Sequence, residues 1–144
     1  MMIKKIIFIM VFVLVSVVVF AQQNILTVNI TGIESVKGDI YVYLYTSEEG
    51  FPIEILKASE FEKIKLTKNN TSVYFKNLKS GTYAVSVYQD IDTNGKINQN
   101  FLGIPKEPVG VSNNAEGFMG APKYEDAKFS LNANKSINIK LSEQ

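Results

Sequence analysis

The sequence predicts an all-β protein, a two-sheet antiparallel sandwich of about seven strands. Three observations predict it. Apolar and polar side chains alternate with period two in seven runs between residues 26 and 141, polar turn residues separate the runs, and the length suits one domain of immunoglobulin-like size. An eight-stranded barrel is the alternative architecture, because its strands alternate in the same way.

The strands are expected where apolar residues recur at every second position, since each run then turns one face to the core and one to solvent. The apolar positions, in chain order, are Leu26, Val28 and Ile30; Ile40, Val42 and Leu44; Ile64 and Leu66; Val73 and Phe75; Tyr83, Val85 and Val87; Ala127, Phe129 and Leu131; and Ile137, Ile139 and Leu141. Between the fourth and fifth runs, Leu78, a turn at Gly81 and then Tyr83 form the pattern of a tyrosine corner. A core tyrosine after a tight turn is the other interpretation.

Two stretches break the alternation. Residues 50–61 have a spacing that favours one or two helical turns, and we expect them to cap one end of the sheets. Residues 90–126 are rich in Gly, Pro and Asn and predict a long loop. Loops of that length in a small domain are usually functional.

The N-terminus has the pattern of a secretory signal peptide. Lys4 and Lys5 precede an apolar run over residues 6–20. Val19-Phe20-Ala21 then places small residues, Val19 and Ala21, at positions −3 and −1 of a cut before Gln22. The alternative is an uncleaved membrane anchor, which needs about 20 apolar residues, more than this run has. We therefore expect a signal peptide over residues 1–21, one mature domain over 22–144, and export to the periplasm or the extracellular space. No stable membrane insertion is expected after cleavage.

Composition excludes several kinds of function. The chain has no His, Cys, Trp or Arg, which excludes Ser-His and Cys-His nucleophiles, Cys/His zinc sites and disulfides. The net charge of +1 includes two signal-peptide lysines, so the mature domain is near neutral and acidic by one charge. Such a charge argues against a nucleic-acid partner and against polybasic membrane binding.

The motif with the most specific spacing is Asp-Ile-Asp-Thr-Asn-Gly-Lys-Ile-Asn at residues 90–98. It matches the first half of an EF-hand loop, with oxygen ligands at relative positions 1, 3 and 5 and Gly at 6, and hard cations such as Ca²⁺ prefer oxygen ligands. The candidate ligands are the side chains of Asp90, Asp92 and Asn94, the carbonyl of Lys96, and Asn98 directly or through water.

The EF-hand match then fails, because position 12 is Phe101 rather than Glu and the flanking helices are absent. A weak calcium site would need another carboxylate, with Glu107 or Glu125 as candidates, or additional water. The alternative is an Asx-rich turn in which Asn94-Gly95 supplies the positive φ.

Two further features are candidates for binding. Glu107, Ser112, Asn113 and Asn114 follow the motif and predict either a polar binding surface or a rigid crossover whose side chains satisfy backbone groups. Tyr41, Tyr43 and Tyr45 form a stripe that, if exposed, would stack on sugar rings and suit a carbohydrate-binding module. The alternative is that a loop covers them, with residues 50–61 the candidate.

Several short motifs occur together in one order, and through them the chain resembles the bacterial family named domain of unknown function 2141 over residues 26–141. They are Gly81-Thr82-Tyr83-Ala84-Val85; Asp90-x-Asp92-x-Asn94-Gly95-Lys96; Gly103-Ile104-Pro105-x-Glu107-x-x-Gly110-x-Ser112-Asn113-Asn114; Gly120-x-Pro122; and Glu125-Asp126-Ala127. The resemblance implies an exported immunoglobulin-like or transthyretin-like sandwich of unassigned role. Asn98 is a departure, because this position is often acidic in the family.

These observations predict a non-enzymatic exported protein, a binding or envelope-associated module with a calcium site in the 90–98 loop. A carbohydrate-binding module that uses exposed tyrosines is the alternative. The partner, a protein or a glycan, is not specified by the sequence.

Overall fold

The structure is a computed structural model that describes residues 23–143. The predicted signal peptide lies outside the described residues. The strands are β1 (Asn24–Thr31), β2 (Asp39–Tyr45), β3 (Glu60–Lys65), β4 (Thr71–Leu78), β5 (Gly81–Asp90), β6 (Val109–Val111), β7 (Phe129–Leu131) and β8 (Lys135–Lys140). The helical elements are 3-10 helices at Ile55–Lys57 and Ser112–Asn114 and the short helix α1 (Tyr124–Ala127). Within residues 23–143, no helix has the length and apolar character needed to cross a membrane.

The strands form two sheets, which confirms the predicted all-β, two-sheet architecture. One sheet has the order β4-β1-β8, and the other has the order β3-β2-β5-β6, with β7 also pairing with β5. The pairing differs from the prediction in one ladder, since β8 runs parallel to β1 with Val28 opposite Ile137. The chain enters β8 from β7, which belongs to the other sheet, so no hairpin joins β8 to its neighbour β1. Without a hairpin, β8 is not restricted to an antiparallel direction.

The core lies between the sheets and is built from the predicted alternating positions. Leu26, Val28 and Ile30 of β1 face Ile40, Val42 and Leu44 of β2, and all six are fully buried. Ala127 is buried as predicted but is the last residue of α1 rather than a strand residue. The prediction also missed β6, which lies within the expected loop. A three-residue Val-Gly-Val strand is too short to show alternation.

The expected tyrosine corner is confirmed. Tyr83 is buried, and its hydroxyl donates a hydrogen bond to the backbone carbonyl of Lys79 at 2.8 Å. The bond ties the start of β5 to the turn after β4, and so fixes where the central strand of the larger sheet begins.

Replacement of Tyr83 by Phe is expected to lower the free energy of unfolding by about 1 kcal/mol, because the Lys79 carbonyl loses its side-chain donor. Equilibrium unfolding in urea measures the change. Tyr74→Phe is the matched control, since this tyrosine is half exposed on β4 and should be neutral. Equal stability of Tyr83→Phe and the wild type would contradict a stabilising role for the corner.

Candidate functional site

Asp90, the last residue of β5, is completely buried where the chain leaves the sheet. Its carboxylate accepts hydrogen bonds from two backbone N–H groups of the following loop, those of Asn94 at 3.1 Å and Gly95 at 2.8 Å. Gly38, before β2, lies directly against the Asp90 backbone, and a Cβ at Gly38 would lie 1.8 Å from the Asp90 carbonyl oxygen. The loop therefore folds back over the Asp90 carboxylate. The absence of a side chain at Gly38 allows the Asp90 backbone to approach this closely. Sequence analysis did not single out Gly38.

Glu107, just before β6, supplies a second buried carboxylate. Its Oε1 accepts the N–H of Ile91 at 2.9 Å and its Oε2 accepts the N–H of Asn98 at 3.1 Å. One side chain thus holds the first and last parts of the 90–98 loop. The chain folds in this way because these N–H groups lack strand partners, and a buried carboxylate is a strong acceptor for them.

Asp90, Asp92 and Glu107 form one carboxylate cluster, in which ligand oxygens from the three residues all lie within 4.8 Å of one another. Asp90 and Glu107 are buried and Asp92 is exposed. The sequence offered Glu107 or Glu125 as the carboxylate that the EF-hand match lacks. The structure places Glu107 there, whereas Glu125 forms an exposed ion pair with Lys128.

The amides of Asn94 and Asn98 hold the exposed member of the cluster. Oδ2 of Asp92 accepts from Asn98 Nδ2 at 2.8 Å and from Asn94 Nδ2 at 3.0 Å. These bonds, that from Asn98 above all, lower the pKa of Asp92 below its usual value. Asn94 Oδ1 accepts the N–H of Lys96 at 2.8 Å, so all five predicted ligand residues belong to one hydrogen-bonded loop.

The cluster has no basic partner in the described part of the chain. The ion pairs found in residues 23–143 join Lys57 to Glu49, Lys63 to Asp39 and Lys128 to Glu125. A shallow pocket beside the cluster is lined by Ile91, Asp92, Asn98, Gln99, Lys106 and Glu107, and it gives solvent a route to the carboxylates. Three converging carboxylates with access for water are features that a hard divalent cation uses.

The positive φ angles of the loop differ from the expected Asn94-Gly95 pair. They fall on Thr93, with φ of 58°, and on Gly95, with φ of 75°. Asn94 instead forms an Asx turn, in which its side-chain Oδ1 accepts the backbone N–H of Lys96 two residues ahead. A β-branched residue in the left-handed region is uncommon, and it indicates a loop conformation fixed by its surroundings.

A comparison with protein families matches residues 28–140 to a family described as an uncharacterized protein conserved in bacteria, DUF2141. The chain belongs to the DUF2141 family. No curated protein and no solved structure shows significant similarity to the chain.

Ser112, Asn113 and Asn114 of this DUF2141 chain make hydrogen bonds to the backbone. The buried Ser112 hydroxyl accepts the N–H of Val85 at 2.9 Å and donates to the carbonyl of Ala127 at 2.6 Å. Asn113 donates to the carbonyls of Asp126 and Lys128, and Asn114 accepts the N–H of Lys140. These contacts favour the rigid crossover over the polar binding surface for these three residues, whereas Glu107 belongs to the carboxylate cluster.

The tyrosine stripe is covered, which confirms the alternative of a covering loop from residues 50–61 over the alternative of an exposed stripe. Tyr43 and Tyr45 are buried, and Tyr41 stacks on Tyr88 with ring centroids 4.9 Å apart. The covering residues are Phe51, Ile55, Ala58, Ile97, Val109 and Tyr124. Residues 50–58 therefore lie on the outer face of the larger sheet rather than capping an end, because four aromatic rings on one sheet face need cover from water. The buried rings of Tyr43 and Tyr45 therefore offer no face on which a sugar could stack, whereas Tyr41 is partly exposed.

Proposed function

We propose that this chain is an exported, non-enzymatic binding or envelope-associated module whose carboxylate cluster holds a calcium ion. The ion would join the 90–98 loop to Glu107 and so stiffen the connection between β5 and β6. The observation that carries the proposal is the burial of Asp90 and Glu107 beside Asp92, with oxygens within 4.8 Å and no ion pair to a described lysine.

Electrostatics supports a cation at this position. Two unit charges 4.8 Å apart repel by about 3.5 kcal/mol at an effective dielectric constant of ~20, and no lysine in the described chain forms an ion pair with the cluster. A divalent cation between the carboxylates replaces the repulsion by attraction. Each buried carboxylate oxygen that accepts one N–H keeps a lone pair for a metal.

The chemistry of the ligands favours calcium over the transition metals. All candidate ligand atoms are oxygens, and the sequence contains no His or Cys. The cluster offers carboxylate oxygens with room for water, which suits the larger and more flexible coordination sphere of Ca²⁺ rather than the strict octahedron of Mg²⁺.

Calcium is expected to raise the melting temperature of the mature chain, since any ligand that binds only the native state stabilises it. At a hundredfold excess over the dissociation constant the gain is about 2.7 kcal/mol. Thermal unfolding in EDTA and in millimolar CaCl₂ measures the shift. Asp92→Asn and Glu107→Gln should each reduce the calcium-dependent shift by more than half, because each removes a carboxylate from the cluster.

Glu125→Gln is the matched control, because Glu125 is exposed and lies in a separate ion pair with Lys128. It should keep the full calcium response. A wild-type melting temperature that does not respond to calcium, or an equal loss of response in Glu125→Gln, would contradict the site.

Export rests on the N-terminal pattern. Cleavage before Gln22 would leave every described strand intact, since β1 begins at Asn24. Expression of the whole chain in a bacterium, followed by fractionation and N-terminal sequencing, should find protein outside the cytoplasm that begins at Gln22. Retention of Met1–Ala21 on a membrane-bound product would support the anchor instead.

A further inference from the structure

A β-hairpin at residues 98–106 carries an apolar tip into solvent. Phe101 is 95% exposed, Leu102 is 68% exposed and Ile104 is 42% exposed. Large apolar side chains exposed side by side on a small domain are a candidate binding surface, and a second such pair, Phe118 and Met119, lies on a different connection.

The hairpin is held in shape by its own hydrogen bonds. Its arms pair at Gln99 and Pro105, and the N–H of Lys106 donates to the carbonyl of Asn98 at 2.8 Å. At the tip, Asn100 Oδ1 accepts the N–H groups of Leu102 and Ile104 at 2.9 and 3.0 Å. The tip is therefore presented by an ordered turn, and little conformational entropy is lost when it binds.

Exposed lysines lie at the same end of the sandwich, together with the carboxylate cluster. This end comprises the C-terminal ends of β3, β5 and β8 and the connections after β1, β3 and β5. Its exposed basic residues are Lys37, Lys65, Lys68, Lys96, Lys106 and Lys140. Its exposed acidic residues are Glu34, Asp92 and Glu143, and three more carboxylates, Asp39, Asp90 and Glu107, are partly or fully buried there. Six lysines thus face six carboxylates, and this end becomes positive only when a divalent cation binds the cluster.

We propose that this end docks on an anionic lipid surface, with Phe101 and Leu102 inserted at the interface and the lysines facing the headgroup phosphates. A protruding apolar tip with lysines at the same end is complementary to a bilayer, which is apolar inside and anionic at its surface. This is peripheral binding and needs no membrane-spanning segment. The proposal rests on the calcium site for its charge, because the lysines at this end outnumber the uncompensated carboxylates only when a cation occupies the cluster.

Co-sedimentation of the chain from Gln22 onward with vesicles tests the proposal. Vesicles of phosphatidylcholine alone are compared with vesicles containing phosphatidylglycerol, each in EDTA and in millimolar CaCl₂. The wild type should bind the phosphatidylglycerol vesicles in CaCl₂, bind them more weakly in EDTA, and lose binding at high salt. Phe101→Ser with Leu102→Ser should reduce the partition coefficient by about tenfold or more, since both apolar side chains leave the interface.

A matched control is Phe118→Ser with Met119→Ser. Both residues are 93% exposed, on the connection that leads to α1 and packs through Tyr124 on Phe51 rather than on the hairpin. This variant should bind vesicles as the wild type does. Melting temperatures of both variants should equal that of the wild type, because the replaced side chains make no core contacts.

Several outcomes would overturn the proposal: no wild-type binding to phosphatidylglycerol vesicles in either buffer, equal binding to both vesicle types, or an equal loss in the two double variants. Binding as strong in EDTA as in calcium would contradict the contribution of the bound cation to docking. A melting temperature that calcium raises, with no vesicle binding in calcium, would overturn the docking surface and leave the calcium site intact. The two proposals therefore fail separately.

Discussion

A Gly38→Ala substitution is expected to destabilise the protein by about 3–5 kcal/mol and to displace Asp90. Gly38 has φ of 71°, a conformation that costs residues with a Cβ about 1–2 kcal/mol. In addition, the new Cβ would lie 1.8 Å from the Asp90 carbonyl oxygen and 2.7 Å from its carbonyl carbon. The atoms that the new Cβ would overlap are backbone atoms, so no flexible side chain can move aside. The overlap has to be relieved by separating β2 from the end of β5.

Gly103→Ala separates the two contributions. Gly103 also has a positive φ, of 79°, but nothing lies within 4 Å of its Cβ position. This control should lose only about 1–2 kcal/mol, the cost of the backbone conformation. Denaturant unfolding of both variants measures the difference. If Gly38→Ala loses no more stability than Gly103→Ala, the close approach to Asp90 is not a constraint on the fold.

A Ser112→Ala substitution is expected to destabilise the protein by about 2–4 kcal/mol. The Ser112 hydroxyl is completely buried and bonds the N–H of Val85 and the carbonyl of Ala127. Removing it leaves a buried donor and a buried acceptor without partners, at about 1–3 kcal/mol each, and no water reaches them to compensate. This one side chain connects β5 to α1.

Ser130→Ala is the control for Ser112→Ala, because Ser130 is exposed on β7. Its effect should lie within about 0.5 kcal/mol of zero. Urea unfolding of the pair makes the comparison. A loss below about 1 kcal/mol in Ser112→Ala would mean that the hydroxyl is not the connection that its two short hydrogen bonds indicate.

The sequence predicted the buried residues correctly where alternation of apolar and polar side chains along one strand determines which face is buried. Alternation placed Leu26, Val28 and Ile30 on one face because a strand has a side-chain period of two, whatever its partners are. The same reasoning could not show that β8 pairs parallel to β1, since strand direction depends on the connection from β7 in the other sheet. β6 was too short to be recognised by its pattern.

The candidate site was only partly predictable for a similar reason. The spacing of Asp90, Asp92 and Asn94 marks an oxygen-rich loop, and that signal is local. The choice of Glu107 over Glu125 as the third carboxylate depends on the path of the chain between β5 and β6, which no short-range pattern encodes. Cover of the tyrosine stripe by Phe51 and Ile55 agrees with the candidate segment 50–61, whereas the contribution of Ile97, Val109 and Tyr124 comes from distant parts of the chain and has no local signal.

The most direct test of the proposed site is anomalous difference density from crystals of the mature chain grown with CaCl₂. The account predicts one peak at about 2.3–2.6 Å from carboxylate oxygens of Asp90, Asp92 and Glu107, and its loss in Glu107→Gln crystals grown in the same way. An ordered cluster with no peak in the presence of calcium, or a peak that survives Glu107→Gln unchanged, would contradict it.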